Sequence, residues 1–431
     1  MKRLFGVVLA GTMLWLAFLS PAPVGLPEPD APPLEYPSFS TGSAFCPTWQ
    51  ADGAVESRIV AHANADFTGR WFFDGDELAA FAGNGDDVRS WSADPGLQQG
   101  YTPIHLYAPD GVVSGGVRSW GNGFDAATSC VRIGSRDWAV GVGNTLEDNS
   151  TALMLYNPFP QSATVEVTVY SEQGLEVVSS LERVVVPPRT LRRFELSQQL
   201  RLREYLFFVV HEEQGRVVPS LERVSPTGAR GVAVGAALGP RWFFPAGAPL
   251  GSSAELVLVN PSVSALSVEV DFFGQEGADL GVLQIVLPAR SFEVLQVPAE
   301  TAVAVNSDGS IGAGLTVEGP KGLGLTSGTQ SVAQEWVLPG LSRGEGTQLA
   351  WVLNPGAGEV RVEYLVFGAG GASAPVSVVV PPGRLLLVQV GATNSDSVVL
   401  TGDGAFVAGW TSEAPDDLFG LAVETGVPQG E

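Results

Sequence analysis

The chain has 431 residues, 45% hydrophobic and only 16% charged, a composition of packed domains rather than of disorder. Basic residues number 23 against 46 acidic ones, so the net charge is −23, and lysine is confined to Lys2 and Lys321. Nucleic acid binding needs clustered cations that displace counterions, and that partner is excluded.

At the N-terminus, "MKR" precedes an uncharged apolar run, Leu4–Leu19, and then the proline-rich "SPAPVGLPEPDAPPLEYP". This is the pattern of an export signal cut after Ala22, or of an uncleaved anchor, since the run is near the shortest length that spans a bilayer. Residues 1–22 are expected to be that signal peptide or membrane anchor, and residues 23–43 a tether. Lys2 and Arg3 keep the N-terminus in the cytoplasm. The rest is expected on the extracellular side of the cytoplasmic membrane, anchored or secreted. Cys46 and Cys130 follow the signal. An even count in an oxidising compartment favours a disulfide between them.

Beyond the tether the chain repeats. "ALMLYNPFPQSATVEVTVY", "ELVLVNPSVSALSVEVDFF" and "QLAWVLNPGAGEVRVEYLVF" align on Asn157-Pro158, Asn260-Pro261 and Asn354-Pro355. A tryptophan precedes each pair: Trp138, Trp242 and Trp336. A proline-rich corner follows each, carrying Arg189, Arg290 and Arg384. Each repeat then shows a hairpin signal with a turn glycine at Gly215, Gly309 or Gly404. A divergent first copy has Gly111 at that place and Asn64 without its proline. The expected domains are a divergent 44–133, then 134–236, 237–331 and 332–431. Alternation in "VEVDFF" and "VRVEYLVF" is the mark of antiparallel strands with one wet face. The expected fold is all-β: a tandem array of four immunoglobulin-like sandwiches behind the N-terminal signal or anchor helix. One short helix is expected, at "SQQLRLREY" (Ser197–Tyr205). Asn-Pro reads as a strand terminator, because the proline removes a ladder donor and the asparagine can bond the backbone two residues on. The corner arginines read as bonding backbone carbonyls of their own copies.

Units of this form resemble modules of bacterial extracellular proteins, "RWFFPAGAPLGSSAELVLVNP" (Arg241–Pro261) most closely. Four copies behind a signal, with "FCPTW" at the start of the first, resemble an exported actinobacterial family of unknown function. The resemblance covers roughly residues 44–427 and implies architecture, not activity. Such modules often end in an acidic-arginine pair. "PSLERV" keeps it, whereas "GLTVEG" and "GWTSEA" have lost it.

Catalytic residues are not expected. His62, His105 and His211 are the only histidines, and no G-x-S-x-G elbow accompanies them. No ligand pair has zinc spacing, and no glycine-rich phosphate loop opens a long helix, which excludes nucleotides. Asp74, Asp76, Glu77, Asp86 and Asp87 cluster in the first copy. They could hold calcium, but read as turn residues, so neither metal nor cofactor is expected. The reading is a non-enzymatic envelope scaffold with an envelope protein or glycan as partner. The alternative is a carbohydrate-binding protein with Trp71, Trp91 and Trp120 as aromatic platforms. An envelope hydrolase comes last.

Overall fold

The computed structural model describes residues 42–46, 54–73, 75–85, 87–92, 103–121, 123–132, 134–275, 279–340, 346–368, 371–390, 395–414 and 420–429. The chain divides into Met1–Tyr36 and Pro37–Glu431. The signal or anchor and most of the tether therefore lie outside the described residues. Among those residues the regular secondary structure is β, and no helix is long and apolar enough to cross a membrane. Ser197–Tyr205 forms turns rather than the expected helix. Leu196 accepts the backbone N–H groups of Gln199 and Leu200, which closes one turn before the strand Leu206–Gln214 begins.

Strand ladders fall into four segments, residues 43–129, 137–237, 239–326 and 333–428. Among the described residues every ladder is antiparallel, and none crosses from one segment to another. In the first segment, one sheet runs Ser43–Cys46, Ile104–Tyr107, Phe67–Phe73, Asp76–Gly83 and the other Asp87–Ser92, Ala54–Ala63, Val113–Gly121, Phe124–Ser129. Cys46 and Cys130 are joined in a disulfide that ties the first strand of this segment to the residue after its last.

The third and fourth segments correct one sequence expectation. "NSDGSIG" and "TGDGAFV" are not hairpins. They lie inside single long strands, Ala302–Gly319 and Ser395–Glu413, which pass from one sheet to the other. The first half of Ala302–Gly319 pairs with Leu266–Phe273 and Gly239–Phe244, the second half with Ser253–Asn260 and Gly322–Thr326. At each crossing an aspartate accepts the backbone N–H that starts a neighbouring strand: Asp308 from Ser267 at 3.0 Å and Asp403 from Arg361 at 2.8 Å. Asp-Gly here makes a corner, because strand pairing continues on both sides of it. In the second segment a real turn, with Gly215 at φ 72°, separates Leu206–Gln214 from Val218–Val224.

The repeated Asn-Pro pairs end their strands in one geometry. Asn157, Asn260 and Asn354 are fully buried. Each Nδ2 donates to a carbonyl four residues on (Gln161, Ser264, Gly358; 2.7–2.8 Å) and to one at the end of another strand (Val186, Leu287, Val380; 3.0–3.1 Å). Each Oδ1 accepts the N–H two residues on, at 2.9 Å. Asn64 differs. It is exposed, and its Oδ1 accepts from Val112 across the segment at 2.7 Å.

The corner arginines need a correction too. Arg189 and Arg290 occupy the left-handed region, with φ 55° and 51°; in the fourth segment Gly383 takes that place with φ 64°. Arg384 pairs with Asn354 as Ser291 pairs with Asn260, so it sits one position later than the other two arginines. The inserted glycine takes over the strained conformation, and glycine adopts it without steric cost.

Trp138, Trp242 and Trp336 are buried near the start of their segments. Trp242 Nε1 donates to Gly239 and Ile311 carbonyls, and Trp336 Nε1 to those of Ala333 and Phe406. Trp138 donates instead to the buried carboxylate of Glu212, at 3.0 Å.

The segments are successive in sequence, yet their contacts close into a ring. The last strands of their inner sheets, Phe124–Ser129, Arg230–Val234, Gly322–Thr326 and Leu421–Thr425, meet along one axis. The first packs against the second and fourth, and the third against the second and fourth. Each is an edge strand, and edges left open invite aggregation. Here each edge is covered by its neighbours. Close approach requires glycine: a Cβ on Gly231 would stand 2.7 Å from the Leu325 side chain, and one on Gly324 2.7 Å from Val423.

Candidate functional site: the axial seam

The four axial strands are joined by polar contacts that span hundreds of residues in sequence. Where the first and fourth segments meet, buried Arg118 forms a bidentate ion pair with buried Asp125 of its own segment (2.8 and 2.5 Å). The same guanidinium donates to the Gly340 carbonyl and the Ser412 hydroxyl, both at 2.7 Å, and lies over the Trp410 ring at 5.6 Å. Between the second and third segments, buried Arg223 pairs with Glu318 at 2.5 Å. Strand register makes Arg118 and Arg223 equivalent: Arg58 faces the first and Thr151 the second, each six residues before its Asn64 or Asn157. This explains the arginine of "PSLERV" physically. It reaches into the neighbouring segment. Val317 and Ser412 stand at its place in the third and fourth segments, and Ser412 receives Arg118.

Between the first and second segments the seam is apolar. Phe45, Tyr156, Val218 and Val234 form one cluster, and Phe124, Ala126, Met154 and Val232 another. Arg189 lies over Phe72 of the first segment at 5.8 Å, so its side chain is a contact between segments rather than a ligand of its own carbonyls.

At the C-terminal ends of the axial strands all four segments line one cavity of about 340 Å³. Ser129 donates to the Thr425 carbonyl (3.0 Å), Ser327 to that of Val234 (2.5 Å), Gln330 to that of Ala237 and Arg132 to that of Pro428. Thr326 and Thr425 hydroxyls are 3.2 Å apart. Glu424 is buried among these strands. Burial pushes its carboxyl up to about 8, against hydrogen bonds from the Thr425 and Ser129 backbones and the Thr326 side chain that hold it down. The glutamate is thus mostly uncharged at neutral pH. Sequence reasoning missed this cavity, because its residues are separated by about a hundred positions each and none belongs to a motif. The small residues after each axial strand were the available signal.

The aromatic platforms are not brought together there. Trp71 is buried in the core of the first segment with Phe81 against it at 4.9 Å, so it cannot present a face to a ligand, which corrects the expectation for that residue. Trp120 is half-buried with Arg58 over its ring at 5.2 Å. Trp91 pairs with Ile59 in its sheet, and its indole lies outside the described residues.

The three histidines serve different neighbourhoods. His105 stacks on Phe45 at 4.8 Å, and its Nε2 is 3.4 Å from the buried Ser43 hydroxyl. Burial, then the nearby Arg70, lowers its pKa to about 3, so the ring stays neutral. His211 is exposed and bonded to Asp137 at 2.6 Å; His62 lies 6.0 Å from the Phe367 ring. Of the acidic cluster, Glu77 pairs with Arg70 at 3.2 Å, and Asp74 and Asp86 lie outside the described residues. Among the described residues no three His, Cys, Asp or Glu side chains gather as a metal ion would require.

A model described as a family of unknown function (DUF5719) matches residues 121–241, from the end of Val113–Gly121 into the third segment. No curated protein matches the sequence. Among solved structures, Thermotoga maritima 1070 is 13% identical, with 22% of this chain and 95% of that chain covered and a TM-score of 0.21. The major pilin of Streptococcus pyogenes is 7% identical, with 90% of this chain and 99% of that chain covered and a TM-score of 0.15. A tetra-tandem repeat from the extending region of a large adhesion protein is 9% identical over 90% of this chain and all of its own, with a TM-score of 0.12.

Proposed function

We propose that the chain is an exported or membrane-anchored envelope protein without enzymatic activity, in which four copies of one immunoglobulin-like module serve as a single interaction scaffold. The modules are residues 44–133, 134–236, 237–331 and 332–431. The observation that carries this reading is the use of two buried arginines at one repeat position. Arg118 and Arg223 reach out of their own segments to Gly340 and Ser412 of the fourth and to Glu318 of the third. Buried ion pairs gain little over apolar packing, and a recognised use of them is to specify one arrangement. Here the contacts that Arg118 and Arg223 make across the seams serve that use. A partner then finds fixed spacing between surfaces on different modules, which a row on flexible linkers would not supply.

Two measurements test the reading. Protease added to intact cells should cut the chain, whereas protection until lysis would place it inside. The purified chain should turn over none of a panel of ester, peptide and glycan substrates. Turnover abolished by a single Asp or Glu substitution would replace the scaffold with an envelope hydrolase.

A further inference from the structure

We infer that the axial cavity is a binding site for a small, uncharged, polyhydroxylated molecule, of the size and chemistry of a mono- or disaccharide. Its lining comes from every segment: Ser129 and Arg132 from the first, Trp138 and Ala237 from the second, Ser327 to Ser331 from the third, Glu424 to Pro428 from the fourth. The volume of about 340 Å³ is at the small end of ligand cavities.

The hydrogen-bonding inventory selects the class. Ser129, Ser327 and Gln330 donate their hydrogens to carbonyls across the seam. Hydroxyl and amide oxygens that have donated still accept. The lining therefore offers acceptors held in place by contacts between segments. Arg132, which donates to the Pro428 carbonyl, supplies a donor group, and the mostly protonated Glu424 supplies another. A ligand must answer donors and acceptors together. A hydroxyl does both with one oxygen. An ammonium would meet the guanidinium of Arg132, and a carboxylate would leave the hydroxyl and carbonyl acceptors without a proton. Val131, Val234 and Val427 add apolar lining. The C–H faces of a sugar ring pack on such a surface.

The site does not depend on the aromatic residues of the first segment, and it would stand even if the chain proved to be an enzyme. Its occupancy would couple all four segments, because a ligand in the cavity touches residues that otherwise meet only through the seam.

The test is titration of the purified full chain with neutral saccharides (glucose, galactose, N-acetylglucosamine and their disaccharides) beside gluconate and glucosamine, read by saturation-transfer NMR and calorimetry. At least one neutral sugar should bind saturably, at least tenfold more tightly than its charged counterpart. Amide exchange in residues 327–331 and 424–427 should slow on binding. Ser331→Trp, on the half-buried rim, should weaken binding at least tenfold while keeping the melting temperature within a few degrees. If that variant does not fold, the exchange map on the unaltered chain decides the location. Absence of saturable binding by every neutral sugar overturns the proposal. So does equal binding of gluconate or glucosamine, or exchange protection confined to other residues.

Discussion

Asn260 shows how much one buried side chain can hold. Its Nδ2 donates to Ser264, Leu287 and Pro288 carbonyls and its Oδ1 accepts from Ser262. Asn260→Ala takes a donor from the buried Leu287 carbonyl and the acceptor from the Ser262 N–H, while the Ser264 and Pro288 carbonyls keep the Ser262 and Ser291 hydroxyls; a buried orphan costs about 1–3 kcal/mol. We expect a loss of about 2–4 kcal/mol in denaturant unfolding, with Asn157→Ala and Asn354→Ala alike. Asn64→Ala, at an exposed position, should cost under about 1 kcal/mol. Equal losses at Asn64 and Asn260 would show that burial is not the source. Glu424 makes a different prediction. Its folded pKa, about 8, lies above the ordinary 4.5. Its contribution is fully present below about 4.5 and is lost as pH rises through 8. Glu424→Gln has no proton to lose. The variant should match the unaltered chain near pH 4 and become the more stable of the two by pH 8–9, on the order of a few kcal/mol, since each tenfold change in proton affinity is about 1.4 kcal/mol. Parallel melting curves across that range would remove Glu424 from the account.

At the level of elements, the paired strands that carry Arg118 and Asp125 meet the fourth segment at the closing seam. Arg118→Ala takes the guanidinium away from a buried carboxylate and should destabilise by about 3–5 kcal/mol, whereas Arg118→Met with Asp125→Leu should fall much closer to the unaltered chain. If single and double variants lose the same amount in denaturant titrations, the pair's charge is not what matters. Local pattern made the strands readable in sequence. Alternation marked "VEVDFF" and "VRVEYLVF", and both are strands with one wetter face. The Asn-Pro spacing marked strand ends. What local pattern could not separate was a hairpin from a strand that changes sheet, because Asp-Gly suits both and the choice depends on partners at either side. Nor could Arg384 be told from Arg189 and Arg290 by spacing, since one inserted glycine shifts the register at that corner.

At the scale of the molecule the first and last segments meet. A row of independent modules would unfold in several steps, but buried seams between neighbours favour one cooperative transition. Calorimetry should give a ratio of calorimetric to van't Hoff enthalpy near unity, and resolved peaks would argue for loosely joined modules. Reducing Cys46–Cys130 should then lower the whole transition rather than a fraction of it, by on the order of 3–5 kcal/mol in the chain-entropy model for a closure of 84 residues. A shift confined to part of the heat would show that the first segment melts alone. The ring and its cavity were illegible in the sequence because Arg118 gives no local sign of Gly340 or Ser412, and closure is a property of four surfaces at once. That closure also governs how the gene can change. Open solenoids gain or lose repeats by duplication and deletion because their ends need only caps. A chain whose last module must dock on its first tolerates neither event. Relatives of this architecture should therefore vary in loops and surface residues while keeping four segments in the ring.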